Sequence, residues 1–179
     1  MAFTHKRDAH TRHAAAATLP TSPGANGDGG PISPIQLVTL DLPLTAYLPT
    51  DYIPDDTLRL RVYQKLSQAE TTQDIMYLRQ ELRDRFGPIP EPAEHLLLWL
   101  QLKALALRAG VASIGTGEFE ITVRLPAHRT LNRAVLQQQF NEEVVRVGPQ
   151  FVRVNRRAAG AQWPDLLKAI LEAVGKAIA

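Results

Sequence analysis

Three features of this sequence predict an α+β fold class, with helices packed on a small antiparallel sheet. Apolar residues recur at helical spacing from Leu58 to Leu107, the period switches to two after Gly110, and Pro164 to Ala177 restores a helical stripe. The resulting order is β-α-α-α-β-β-α-β-β-α. A run of helices followed by a run of strands places helices against an antiparallel sheet rather than between parallel strands.

Each element has its own local reason. Residues 1–34 hold Gly24, Gly27, Gly29, Gly30 and four prolines with almost no large apolar side chain. Such a segment buries too little surface to offset its ordering entropy, and it reads as a disordered tail or linker remnant before a domain spanning 35–179. Ile35 to Leu42 is β-branched enough for a strand, which Pro43 ends. Leu44 to Pro54 reads as an extended loop, because Pro49 and Pro54 push the residues before them out of helical space. Asp55 or Asp56 caps a first helix carrying Leu58, Val62 (or Tyr63) and Leu66. Thr71 with Asp74 makes a capping box for a second helix, whose inward stripe is Ile75, Leu78, Leu82 and Phe86 and whose stop is Gly87-Pro88.

The third helix, Pro92 to Ala109, is apolar nearly all round and includes Trp99, so it is expected to be the central core helix. Val111 to Ile114 then forms a strand, joined across Gly115-Thr116-Gly117 to a second one. There Phe119, Ile121, Val123 and Leu125 face inward, alternating with polar residues. Thr130 to Phe140 is a short helix. Val144 to Val147 and Val152 to Val154 flank Gly148-Pro149; a four-residue loop puts the valines on one face and Arg146 opposite Arg153 on the other. Pro164 to Ala177 closes the chain as an amphipathic helix.

Composition narrows the function classes. The chain has 179 residues, 45% of them hydrophobic, which suits one packed domain without crosslinks. It has no cysteine, so disulfides, thiolate metal sites and cysteine nucleophiles are excluded, which is compatible with a cytoplasmic location. No apolar run reaches the roughly 18 residues of a membrane helix, and no h-region follows Lys6, Arg7 and Arg12. The net charge is +2, but its distribution is uneven: Asp51 to Glu94 carries nine acids and six bases, Ile121 to Ala161 seven arginines and two acids. Opposite patches on one small domain suit docking against proteins more than wrapping a polyanion.

The motifs of catalysis are missing. There is no phosphate-cradling G-x-x-x-x-G-K-[ST], no G-x-S-x-G and no H-E-x-x-H. His5, His10 and His13 fall in the tail and read as solvated side chains rather than a metal site, and His95 as a partly buried polar residue. Glu91 and Glu94 sit in the first turn of a helix, where acids complement the dipole. The sequence therefore predicts no enzyme activity, no cofactor and no metal for this chain.

The loop Tyr47-Leu48-Pro49 with Tyr52-Ile53-Pro54, the helix start Leu58-Arg59-Leu60-Arg61 and the stop Arg85-Phe86-Gly87 form an unusual combination. It resembles the C-terminal domain of the bacterial transcription-repair coupling factors (Mfd), from about Leu40 to the end and most sharply from Leu42 to Leu97. The resemblance implies a non-catalytic, autoinhibitory domain of an ATP-driven translocase. Such a domain docks on the factor's UvrB-like module, masks the surface that recruits UvrA and restrains the motor until RNA polymerase is engaged. It also implies that Glu81 and Asp84 form the docking surface. Their spacing agrees, since Glu81 flanks the inward stripe and Asp84, three residues on, shares its helix face. The competing reading is that both acids, with Arg83 and Arg85, only solvate the helix. A complete coupling factor carries its motor before this domain, whereas Met1 here opens the low-complexity tail; the chain is expected to be either a fragment or a detached domain acting in trans.

A small nucleic-acid-binding adaptor is the rival from another class, its warrant being Arg124, Arg129, Arg133, Arg146, Arg153, Arg156 and Arg157. Arg146 facing Arg153 repels unless an anion lies between them. Against this rival, the sequence predicts no aromatic side chain among those arginines on the outer face, hence no stacking platform. A third possibility is a scaffold without any binding role. Removing residues 1–34 is expected to leave the thermal midpoint of the remainder unchanged within error; a large drop would move the domain boundary into the tail.

Overall fold

The computed structural model of this protein describes residues 38–177. The tail expected over 1–34 and the strand start at Ile35 lie outside the described residues. What remains of that strand is β1 (Thr39–Leu40). Asp55 caps α1 (Asp56–Ser67), its carboxylate accepting the Leu58 N–H at 2.8 Å. The capping box of α2 (Thr72–Phe86) is complete: Thr71 Oγ1 accepts the Asp74 N–H, and Asp74 Oδ2 accepts the Thr71 N–H at 2.9 Å. Gly87, at φ +82°, ends α2 in a region that only glycine enters freely. Glu91 and Pro92 open α3 (Glu91–Arg108).

The chain then forms β2 (Ser113–Thr116), β3 (Glu120–Arg124), α4 (Arg133–Gln137), β4 (Val145–Val147) and β5 (Phe151–Asn155). A one-turn helix α5 (Arg156–Ala159) and a 3-10 turn lead into α6 (Trp163–Ala177). The α+β class and the order of the main elements are those expected, with α5 inserted before the last helix. The sheet order is β1-β2-β3-β5-β4. Strands β2 to β5 pair antiparallel, and β1 adds to β2 in parallel, making the sheet mixed.

Two details of the first hairpin differ from expectation. Strand β2 starts two residues later than Val111 and includes Gly115 and Thr116, and the turn moves to Gly117–Phe119, where the Gly117 N–H donates to the Glu120 carbonyl at 2.7 Å. Phe119, expected to face inward, therefore falls in the turn and is 38% exposed. The second hairpin has the expected register, Val145 against Val154, Arg146 against Arg153 and Val147 against Val152. At Gly148 an added Cβ would run into the Phe151 ring, which would have to turn aside.

Two hydrophobic cores result. One holds Leu48, Ile53, Val62, Leu66, Ile75 and Leu82 around the start of α3, the other the inner face of the sheet with α4, α6 and the end of α3. Helix α3 belongs to both. Ala93, Leu97, Leu100 and Ala104 pack into the first core, and Leu98, Leu102, Leu105, Ala106 and Ala109 into the second. At 3.6 residues per turn these are stripes on nearly opposite sides of the helix. That is why its sequence is apolar nearly all round. Trp99 falls between the stripes: it is partly exposed, joins neither core and carries the Lys103 ammonium 5.4 Å from its ring centroid. Sequence periodicity placed it in the centre, and the doubled stripe displaces it to the flank.

The expected ranking of core truncations follows. Leu97→Ala and Leu102→Ala should each cost about 2–5 kcal/mol. Trp99→Ala should cost less than either, well below the roughly 3–5 kcal/mol of a fully buried aromatic. Urea unfolding of the three variants tests the order; a Trp99→Ala loss equal to that of Leu97→Ala would contradict it.

Candidate functional site

The proline-punctuated loop fixes the ground on which α2 stands. Leu48 and Ile53 plug the helical core and are almost fully buried. The Leu48 N–H donates to Tyr63 Oη at 2.7 Å, the Tyr52 hydroxyl donates to the Leu82 carbonyl at 3.0 Å, and Arg59 donates to the Ile53 carbonyl at 2.7 Å. Tyr52 also sets its ring edge-on to Phe86 at 5.8 Å, and burial pushes its hydroxyl pKa up, with Glu94 adding to the shift. His95, as expected, is a partly buried polar residue, its Nδ1 3.1 Å from the Thr45 carbonyl oxygen. Of the Glu91–Glu94 pair, Glu94 forms an ion pair with Arg79.

Glu81 and Asp84 occupy the solvent side of α2, but in different states. Glu81 is held from two sides: Lys65 of α1 bonds one carboxylate oxygen at 2.5 Å, and Arg85 the other at 3.1 Å. The Lys65 hydrogen bond, opposed by burial and helped by Arg85, holds the Glu81 carboxyl below its ordinary pKa. Asp84 is exposed, accepts a hydrogen bond from Gln80 at 2.9 Å and forms no ion pair among the described residues. Between α1 and α2 lies a groove of about 170 Å³ with an apolar floor at Val62, Leu66 and Leu82 and Lys65, Glu81 and Arg85 at its rim. One turn before Glu81 on the same helix, Tyr77 is 67% exposed.

The arginines expected to form one cluster separate. Arg124, Arg146 and Arg153 share the outer face of the sheet, and Arg157 stands at the end of the β3–β5 pair. Arg129 lies over Gly110, Arg133 is on α4, and Arg156 has a buried Nε without a hydrogen-bond partner. An aromatic ring accompanies the outer-face arginines, contrary to expectation, Arg153 lying over Phe151 at 4.7 Å, and at the end of the strand pair Arg157 lies over Phe119 at 3.6 Å. Phe151 was legible as the residue two before Arg153, out of phase with the inward Val152 and Val154. Phe119 was hidden by the misplaced turn. Among the described residues no group of three or more His, Asp or Glu side chains stands close enough to hold a metal ion, and no helix is long and apolar enough to cross a membrane. The tail histidines lie outside the described residues.

Two charged surfaces stand on one α+β frame: α2, with Asp74, Glu81 and Asp84 beside Arg79, Arg83 and Arg85, and the arginine-bearing outer face of the sheet. The TRCF domain family matches residues 42–136, more than half of the chain, and the chain belongs to that family. The transcription-repair-coupling factor of Mycobacterium bovis is 40% identical over 88 residues, 49% of this chain and 7% of that protein. Those of Staphylococcus haemolyticus and Staphylococcus epidermidis are 32% and 31% identical over 73% and 79% of this chain. The chain spans 12% and 13% of those two relatives' length. A crystal structure of the C-terminal domain of a transcription-repair coupling factor shares the fold, with a TM-score of 0.58 at 21% identity, over 78% of this chain and 89% of that one.

Because Glu81 titrates below its unfolded value, its contribution to stability is present above the ordinary glutamate range. It is lost as the pH falls through the depressed value, where the folded carboxylate finally binds its proton. Lys65→Ala removes the largest cause of that depression. In this variant the Glu81 carboxyl resonance should titrate at higher pH than in the parent; an unchanged titration would show that Lys65 does not hold Glu81 in solution.

Proposed function

We propose that this chain is a non-catalytic, autoinhibitory docking domain of the transcription-coupled repair type, which binds a UvrB-like module through α2 and masks the surface that recruits UvrA. It acts in the cytoplasm, in cis or in trans, and its link to UvrA and RNA polymerase is indirect. Family membership supports the class of protein, and one observation carries the choice of surface. Asp84 lies in the last turn of α2, where the helix dipole disfavours an acid, yet no cation pairs with it among the described residues. Its local support among the described residues is the Gln80 hydrogen bond, which leaves the carboxylate's charge open to a basic partner.

The state of the two acids also sets their rank. A partner arginine meets Asp84 directly, whereas Glu81 must first exchange Lys65 and Arg85. Asp84→Lys should therefore weaken binding to the purified UvrB-like module of a coupling factor more than Glu81→Gln does, mainly through a slower association at low salt. Its stability should stay within about 0.5 kcal/mol of the parent. Titration by calorimetry, with thermal melts of each variant, decides the matter. Unchanged affinity in the double variant Glu81→Lys with Asp84→Lys, in a folded domain, would sink the proposal.

A further inference from the structure

The outer face of the sheet is the second surface, and the docking proposal makes no use of it. Its central feature is Arg146 directly opposite Arg153 on adjacent antiparallel strands. Like charges at such a pair repel. Arg153 finds only a distant partner in Glu120, 3.9 Å away, while Arg146 and Arg124 are exposed and form no ion pair among the described residues. Arg124 on β3 is the cross-strand neighbour of Phe151, and Arg153 carries its guanidinium 4.7 Å from that ring. At the far end of the same strand pair, the Arg157 guanidinium lies over the Phe119 ring, 3.6 Å from its centroid.

We propose that this face binds a single strand of nucleic acid. The arginines supply a row of phosphate-binding forks across three strands. The two Arg-over-Phe pairs supply preformed planes on which unpaired bases rest, either on the ring or on the guanidinium. Thr122, opposite Arg153 on β3, adds a hydroxyl between them. A flat sheet suits a splayed single strand better than a duplex, whose base edges are recessed in grooves that call for a protruding helix or ribbon. An acidic protein surface would satisfy the charges but makes no use of the paired aromatics. The surface is independent of Glu81 and Asp84, which stand on a helix of the other core.

The test uses the full chain and a fluorescent oligothymidylate, followed by anisotropy. Binding should weaken with salt with a log–log slope of about −2 to −3, from roughly 0.7 per phosphate neutralised by four arginines. The double variant Arg124→Glu with Arg146→Glu should bind at least about tenfold more weakly, two of those contacts being lost. Its melting temperature should hold or rise, because a carboxylate at position 146 would attract Arg153 instead of repelling it. Phe151→Leu keeps the apolar cover over Gly148 but removes the ring, and should weaken the single strand by roughly tenfold while leaving the weaker duplex affinity unchanged. The proposal fails if the parent does not bind the oligothymidylate at low salt, or if the Arg124/Arg146 variant binds it as well as the parent. It fails equally if a duplex binds as tightly without regard to Phe151, or if polyglutamate displaces the strand as readily as unlabelled oligothymidylate does. The basic residues of the tail are present in every variant, so differences among them report on the sheet alone.

Discussion

Helix α3 is the constraint on which the rest depends, because its two apolar stripes join a helical core to a sheet core. A single helix can serve two cores only if its neighbours approach from opposite sides, and small residues make that approach close. Ala93 and Ala106 are fully buried. Larger residues at these two points would push the neighbouring elements outward and loosen whichever core they belong to. The α2 surface and the basic sheet face therefore hold their places relative to each other through one rod of backbone hydrogen bonds. Neither surface lies on α3 itself.

That arrangement explains which parts of the fold were legible in the sequence. Helices α1 and α2 have one apolar stripe each, with caps at Asp55 and Thr71 and a stop at Gly87, so periodicity and capping agree and their boundaries were readable. The β4–β5 register was equally legible, because four valines in alternation leave one way to bury them. Helix α3 misled in one respect. A helix with two stripes looks like one buried on every side, and nothing local distinguishes Trp99 on the flank from Leu97 in a core. The β2–β3 turn failed for another reason. Two glycines at 115 and 117 offered two positions for the bend, and the choice was settled by pairing Ile114 with Val123, a contact between strands that no local signal encodes.

The candidate sites divide along the same line. Glu81 and Asp84 could be placed on the outside of α2 from spacing alone, but their difference in state could not. It depends on Lys65, sixteen residues away on another helix. The arginines were visible as a composition bias, and only the sheet sorts them into three that share a face and others that pack elsewhere. Much of the loop that carried the family resemblance proves to be structural: Leu48 and Ile53 fill a core, Tyr52 donates to the Leu82 carbonyl, and the Leu48 N–H donates to Tyr63 of α1. A family's most recognisable residues need not be those that meet its partners.

The physical logic of the two surfaces also differs, and this governs how each can change. Asp84 opposes the dipole of its own helix and Arg146 opposes Arg153, so each surface holds a charge placed against local stability. Each such placement costs only tenths of a kcal/mol to about 1 kcal/mol in solvent, little enough for two well-filled cores to carry. They are also carried by different cores, α2 by the helical one and β4–β5 by the sheet. Substitutions that strengthen one surface therefore need not disturb the other, since residues without shared partners add nearly independently. A domain built this way can keep one surface while altering the second, and α3 transmits the position of each surface without transmitting its charge.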